Sequence, residues 1–167
     1  AVDPGGRAMR SLRRRLEEDA MIRLRPPRMA MAFAGVAALI DWLLRGRLQV
    51  SARHPGAGWL IGAAGSVIML RGWWLFKEAR VAISPTAETV RLVTHGIYRV
   101  TRNPMYLGLA LMMVGLAVGI GTASFYVAAL AWFVVINSVF CRYEEAKLAA
   151  RFGAEYLEYT RRVRRWL

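Results

Sequence analysis

Apolar residues in this chain come in long blocks, and arginine-rich stretches separate them. The first block covers 29–44, the second 56–76, and the third runs without a charge from 105 to 141. A membrane-spanning helix needs about 20 predominantly apolar residues, so the first block is slightly short and the second fits. The third, 37 residues long, would extend about 55 Å as one helix, against a hydrocarbon core of about 30 Å. It must fold back, and its weak point is Gly119-Ile120-Gly121-Thr122-Ala123-Ser124. The pattern therefore predicts an all-α integral membrane protein with four spans. These lie at 29–44, 56–76, 105–120 and 123–141, the last two form a tight hairpin, and a tail follows at 142–167.

Small residues sharpen the packing. Gly58 and Gly62 form a GxxxG with Gly65 extending the same face, and Gly115 and Gly119 form a second on the first arm of the hairpin. Such spacing lets helix backbones approach closely in lipid. It is not a dinucleotide fingerprint, because no strand precedes it and the spacing differs. Arg71 beside Trp73 and Trp74 reads as a side chain snorkelling into an aromatic belt. Asp41, near the end of the first block, is expected to reach the interface.

Ahead of these spans, residues 1–28 hold eight arginines and no lysine. The opening AVDPGG is set apart from the fold. Met9, Leu12, Leu16 and Ala20 fall at helical spacing, so the arm is either an amphipathic helix on an anionic membrane surface or a solvated basic segment. Pro26-Pro27 ends any helix there.

Charge changes the picture in two ways. A net charge of +13 in a soluble protein would suggest nucleic acid. Here the cations flank apolar blocks, so lipid headgroups are the expected partner and nucleic acid is not. Lys and Arg number eight before the first span, three between the first and second, five between the second and third, none at the hairpin tip and seven in the tail. The positive-inside rule then puts both termini and the 77–103 loop in the cytoplasm. One cysteine, two histidines and no clustered spacing argue against a metal site.

This topology gathers the stretch Leu92–Gly108, LVTHGIYRVTRNPMYLG, and the end of the fourth span, NSVFCRYEEAKL, on one side of the membrane. Adjacent helical residues point about 100° apart. Only one of Glu144 and Glu145 is then expected to face a shared pocket, leaving the other for solvent or an ion pair with Lys147 or Arg142. His95 reads as a loop residue rather than a base.

The ordered segments LVTHGIYRVTRNPMYLG, EEAKL and FGAEYLEYTRRV resemble the C-terminal half of the isoprenylcysteine carboxyl methyltransferase and phospholipid methyltransferase family. The resemblance covers residues 90 to 163. It implies an integral-membrane enzyme that uses S-adenosylmethionine in a cytoplasm-facing pocket and methylates a lipophilic or membrane-embedded acceptor. By position, it also implies a cofactor wall of Val90, Arg91, Leu92, Val93, Tyr98, Asn103, Pro104, Met105 and Tyr106, completed by Glu144 from the facing helix. Arg99, Arg142 and Arg164 are the candidates for contact with the acceptor.

The chain departs from the family pattern at three positions. Asn103 stands where many members have histidine, which removes a titratable group. Phe140 stands where members acting on prenylcysteine place an arginine for the substrate carboxylate, and Arg164 replaces a proline. Two other classes compete with the enzyme reading: a non-catalytic membrane scaffold, and a membrane reductase with a related helical core. Neither the acceptor nor the oligomeric state is legible.

Overall fold

A proline opens three of the helices. The computed structural model describes residues 26–45, 47–79 and 91–167; the basic arm up to residue 25 and positions 80–90 of the 77–103 loop, Val90 among them, lie outside them. Helix α1 is Pro26–Leu43, α2 is Pro55–Glu78 and α3 is Pro104–Ile120. The absent N–H of proline removes no hydrogen bond in a first turn, where none is made. Pro26-Pro27, expected to end an upstream helix, therefore also starts α1 three residues before the predicted block.

Helix α3 ends at Gly121, whose φ of 78° is left-handed and whose N–H donates to the Ala117 carbonyl at 2.7 Å. A glycine suits that cap because a Cβ would be strained there. After Thr122 the chain turns straight into α4, Ala123–Phe152, 30 residues long. Helical backbone thus continues eleven residues past Cys141, where the fourth span was expected to end. It does so through a π-helical turn at Ile136–Phe140, before Gly153 bends the chain into α5, Ala154–Arg162. No named strand occurs among the described residues; a single bridge, Gln49 to Thr122, ties the 47–54 link to the hairpin tip.

Helix α2 packs along α3 in the most extensive contact of the fold, and α1 packs along α4. Fully buried Trp132 and Ile136 of α4, with Met113 and Ala117 of α3, form the centre. The Trp132 indole donates to the Pro26 carbonyl at 3.4 Å, pinning the start of α1.

The α2–α3 seam is made of glycine. A Cβ on Gly58 would stand 2.6 Å from the Gly115 carbonyl oxygen, one on Gly65 2.5 Å from that of Gly108, and one on Gly72 3.1 Å from Pro104 Cγ. The seam therefore repeats every seventh residue, and a Cβ on Gly62, the second glycine of the expected GxxxG, would meet nothing within 4 Å. Across the same helix, Trp59 is 79% and Leu60 75% exposed. Glycine inside and tryptophan outside inverts the soluble pattern and suits packing within lipid. Helices α2 and α4 are long and apolar enough to cross a membrane by length and composition; α3 is apolar but shorter, at 17 residues.

Candidate functional site

The stretch Leu92–Gly108 is held between the end of α2 and helix α5. Gly96 starts a 3-10 turn, Gly96–Arg99, with φ 61°. A Cβ there would lie 2.6 Å from Leu75 Cδ1, so this glycine serves both conformation and close approach. The Tyr98 ring packs on Phe76 of α2 at 5.3 Å between centroids. From the other side, the Tyr159 hydroxyl of α5 donates to the Tyr98 carbonyl at 2.7 Å. Leu92 packs with the buried cluster of Tyr156, Tyr159 and Val163.

A cavity of about 430 Å³ opens between this stretch, the C-terminal half of α2, the C-terminal part of α4 and helix α5. That size lies within the range of small-molecule sites, about 300–1,000 Å³. Arg91, Leu92, Val93, Tyr98, Asn103, Pro104, Met105, Tyr106 and Glu144 all line it. Those are the nine described members of the cofactor set implied by the resemblance. Val90 falls outside the described residues. Arg99, Arg142 and Arg164, the acceptor candidates, are exposed and do not line it, and neither does His95. Phe140 is fully buried in the helical core and likewise absent from the lining.

The polar floor is a carboxylate met by a phenol. The Tyr106 hydroxyl donates to Glu144 Oε1 at 2.5 Å, joining α3 to α4 across the cavity. Above it, the Tyr98 hydroxyl and Arg102 Nε are buried with no hydrogen-bond partner among the described residues. Buried polar atoms without partners cost about 1–3 kcal/mol each, so two of them in one cavity leave it with unmet hydrogen-bonding capacity. Burial, more than the neighbouring Tyr159 and Glu144, pushes the Tyr98 phenol well above its usual range and keeps it a neutral donor. Burial raises Tyr156 and Tyr159 as well, with Arg102 opposing.

Glu145 also borders the cavity, contrary to the expectation that one glutamate alone would reach it. Two arginines distant in sequence pair with it: Arg165 grips it with Nε at 2.9 Å and Nη2 on the other oxygen, and Arg102 Nη1 lies 3.1 Å away. This hydrogen-bonded carboxylate holds the Arg165 guanidinium above its ordinary pKa. The π-turn explains the geometry. In an unbroken helix Asn137 and Glu145 would be about 80° apart. One extra residue in the turn sets the phase back by about 100° and brings both to one face. Arg165 Nη1 donates to Asn137 Oδ1 at 3.0 Å as well.

Asn103 does not cap α3; its Nδ2 donates to the Arg165 carbonyl at 3.3 Å. The remaining wall is apolar. Met69, Leu70, Trp73 and Phe76 come from α2, Leu109 from α3 and Leu148 from α4, while Pro26 and Pro27 close the edge. No motif in the sequence marks these residues, because they meet only after α2 has docked on α3. Among the described residues no group of three or more His, Cys, Asp or Glu could hold a metal ion.

The profile of the phospholipid methyltransferase family matches residues 56–155, which include most of this site. Protein-S-isoprenylcysteine O-methyltransferase A of Arabidopsis thaliana is 41% identical over 75 residues, covering 43% of this chain and 36% of that protein. A probable protein-S-isoprenylcysteine O-methyltransferase of Oryza sativa subsp. indica is 29% identical over 147 residues, covering 81% and 72%. An uncharacterized protein of Haemophilus influenzae is 35% identical over 63 residues, its whole length and 38% of this chain. The first of these matches thus spans little more than a third of its relative. No solved structure matches the chain.

Proposed function

The chain belongs to the phospholipid methyltransferase family, and from that premise we propose that it transfers a methyl group from S-adenosylmethionine to a lipophilic acceptor. The observation that carries this reading is the convergence of nine motif residues from 91–106 and α4 on one cavity. Its lining combines polar groups with apolar side chains, which suits a zwitterionic nucleoside cofactor beside a greasy substrate.

The residues present fit the cofactor. Glu144, oriented by Tyr106, suits an ammonium or a ribose diol. The unpaired Tyr98 hydroxyl and Arg102 Nε suit a carboxylate or another acceptor-rich group, as do the N–H groups in the first turn of α3. Leu92, Val93, Met105 and Leu148 suit an adenine face. When bound, the cofactor supplies an electrophilic methyl on sulfur. The chain's own contribution is alignment and exclusion of water, which can carry much of the rate gain of a bimolecular transfer. Asn103 cannot titrate, so it binds rather than moves a proton.

The acceptor reaches the cavity along Met69, Leu70 and Trp73 of α2, where Leu70 is exposed and the other two are half-buried. Four spans, α1 to α4, are supported by the outward-facing tryptophans and leucines. With 20 of the loop cations against three on the other face, the cavity and both termini lie in the cytoplasm. Phe140 argues against prenylcysteine carboxylate as the acceptor, since no cation stands there. The name of the plant relatives is therefore not carried over to this chain.

Isothermal titration of purified protein with S-adenosylhomocysteine tests the reading. Saturable binding by wild type, weakened at least tenfold by Glu144→Ala, is the expected result. No binding to a folded sample refutes it, and binding of NADPH instead would favour the reductase.

A further inference from the structure

We propose that Arg165 is a positioning residue that staples the two walls of the cavity together. This rests on the methyltransferase reading for its kinetic consequence but not for its structural one. The last residues of the chain touch both walls at once. Toward the loop wall they act through backbone: the Arg102 N–H donates to the Arg164 carbonyl at 3.0 Å. The Thr101 hydroxyl and the Asn103 amide donate to the Arg165 carbonyl at 3.0 and 3.3 Å. Three consecutive residues, two of them lining the cavity, are thereby held by two carbonyls.

Toward the helix wall the tail acts through side chains. Arg165 binds Glu145 through two nitrogens and reaches Asn137 Oδ1 at 3.0 Å. Trp166 donates to the same Asn137 oxygen at 3.0 Å and packs on Phe133. The π-turn in α4 presents Asn137 and Glu145 to one guanidinium, and a planar fork suits that task where an ammonium does not. Glu145 also carries Arg102, so loosening the tail frees the carboxylate, the loop arginine and the Asn103 amide together. The consequence is a cofactor site whose loop wall is rigid only while the tail is docked.

The test uses Arg165→Met, which keeps length and removes the fork; Arg165→Lys, which keeps the charge; and Asn137→Ala, which attacks the anchor and leaves the tail intact. For Arg165→Met the expected result is about tenfold weaker S-adenosylhomocysteine binding, or about 1.4 kcal/mol. The cofactor KM should rise similarly with kcat within about threefold, and Arg165→Lys should fall between. Hydrogen exchange at the Arg102 amide should accelerate in both Arg165→Met and Asn137→Ala, with helix content kept. If Arg165→Met does not fold, Asn137→Ala carries the same comparison. Unchanged exchange across 101–103 together with unchanged affinity in the folded variants overturns the proposal. A wild type that binds no S-adenosylhomocysteine sinks the methyltransferase reading instead, and exchange at Arg102 alone then decides the staple.

Discussion

Replacing Gly65 by alanine adds one methyl group to the α2–α3 seam, and the structure states where it goes. The new Cβ would stand 2.5 Å from the Gly108 carbonyl oxygen, 2.9 Å from Leu111 Cβ and 3.0 Å from the Met112 nitrogen. Two of those three atoms are backbone, so no side chain can swing aside, and the helices must part by about 1 Å. A gap of 0.5–1 Å forfeits a quarter to a half of each dispersion contact, and overpacking costs about 1–3 kcal/mol. For a chain of this length, that lowers the midpoint of thermal unfolding by roughly 3–10 °C. Because the same seam brings Gly72 so near Pro104 that a Cβ on it would stand 3.1 Å from Cγ, the shift also widens the cavity and weakens S-adenosylhomocysteine binding. Gly62→Ala is the matched control, since nothing lies within 4 Å of its Cβ, and it should stay within about 0.5 kcal/mol of wild type. Thermal unfolding in detergent micelles compares the two variants. Equal midpoints for Gly65→Ala and Gly62→Ala would refute the seam.

Other outcomes follow from the site. Tyr106→Phe removes the donor to Glu144 and leaves a carboxylate short of a partner, so S-adenosylhomocysteine affinity should fall about tenfold; calorimetry reads it. Arg99→Ala and Arg164→Ala remove exposed side chains outside the cavity and should change that affinity by less than about twofold. For topology, Cys141 is fully buried and should resist an impermeant maleimide. Arg161→Cys should then label only from the cytoplasmic face and Arg53→Cys only from the opposite one; labelling of both from one side contradicts four spans.

Much of one cavity wall was legible because its residues are consecutive. Residues 91–106 carry their own turn glycine, tyrosines and helix-starting proline, and Glu144 follows at a recognisable distance. The opposite wall was not, because Met69, Trp73 and Phe76 are ordinary apolar residues until the glycine seam sets the register of α2. That register was itself half visible: a Cβ on Gly58, Gly65 or Gly72 would point into the seam, whereas Gly62 meets Gly115 only through its backbone. Glu145 shows a different limit. A helical wheel at 100° per residue shows only the neighbours on its own helix, whereas Arg102 and Arg165 reach it from the loop and the tail. Local periodicity carries no trace of a π-turn, and an ion pair spanning 43 residues of sequence, Arg102 to Glu145, depends on the α3–α4 hairpin folding back.

The most direct test of the central claim is transfer itself. Purified protein is incubated with S-adenosylmethionine labelled in the methyl group and a total lipid extract, and the lipid phase is analysed by mass spectrometry. Label is expected in a lipophilic product with wild type and is lost with Glu144→Ala at donor concentrations that saturate wild type. Label in no lipid species, or label undiminished by Glu144→Ala, would contradict that claim.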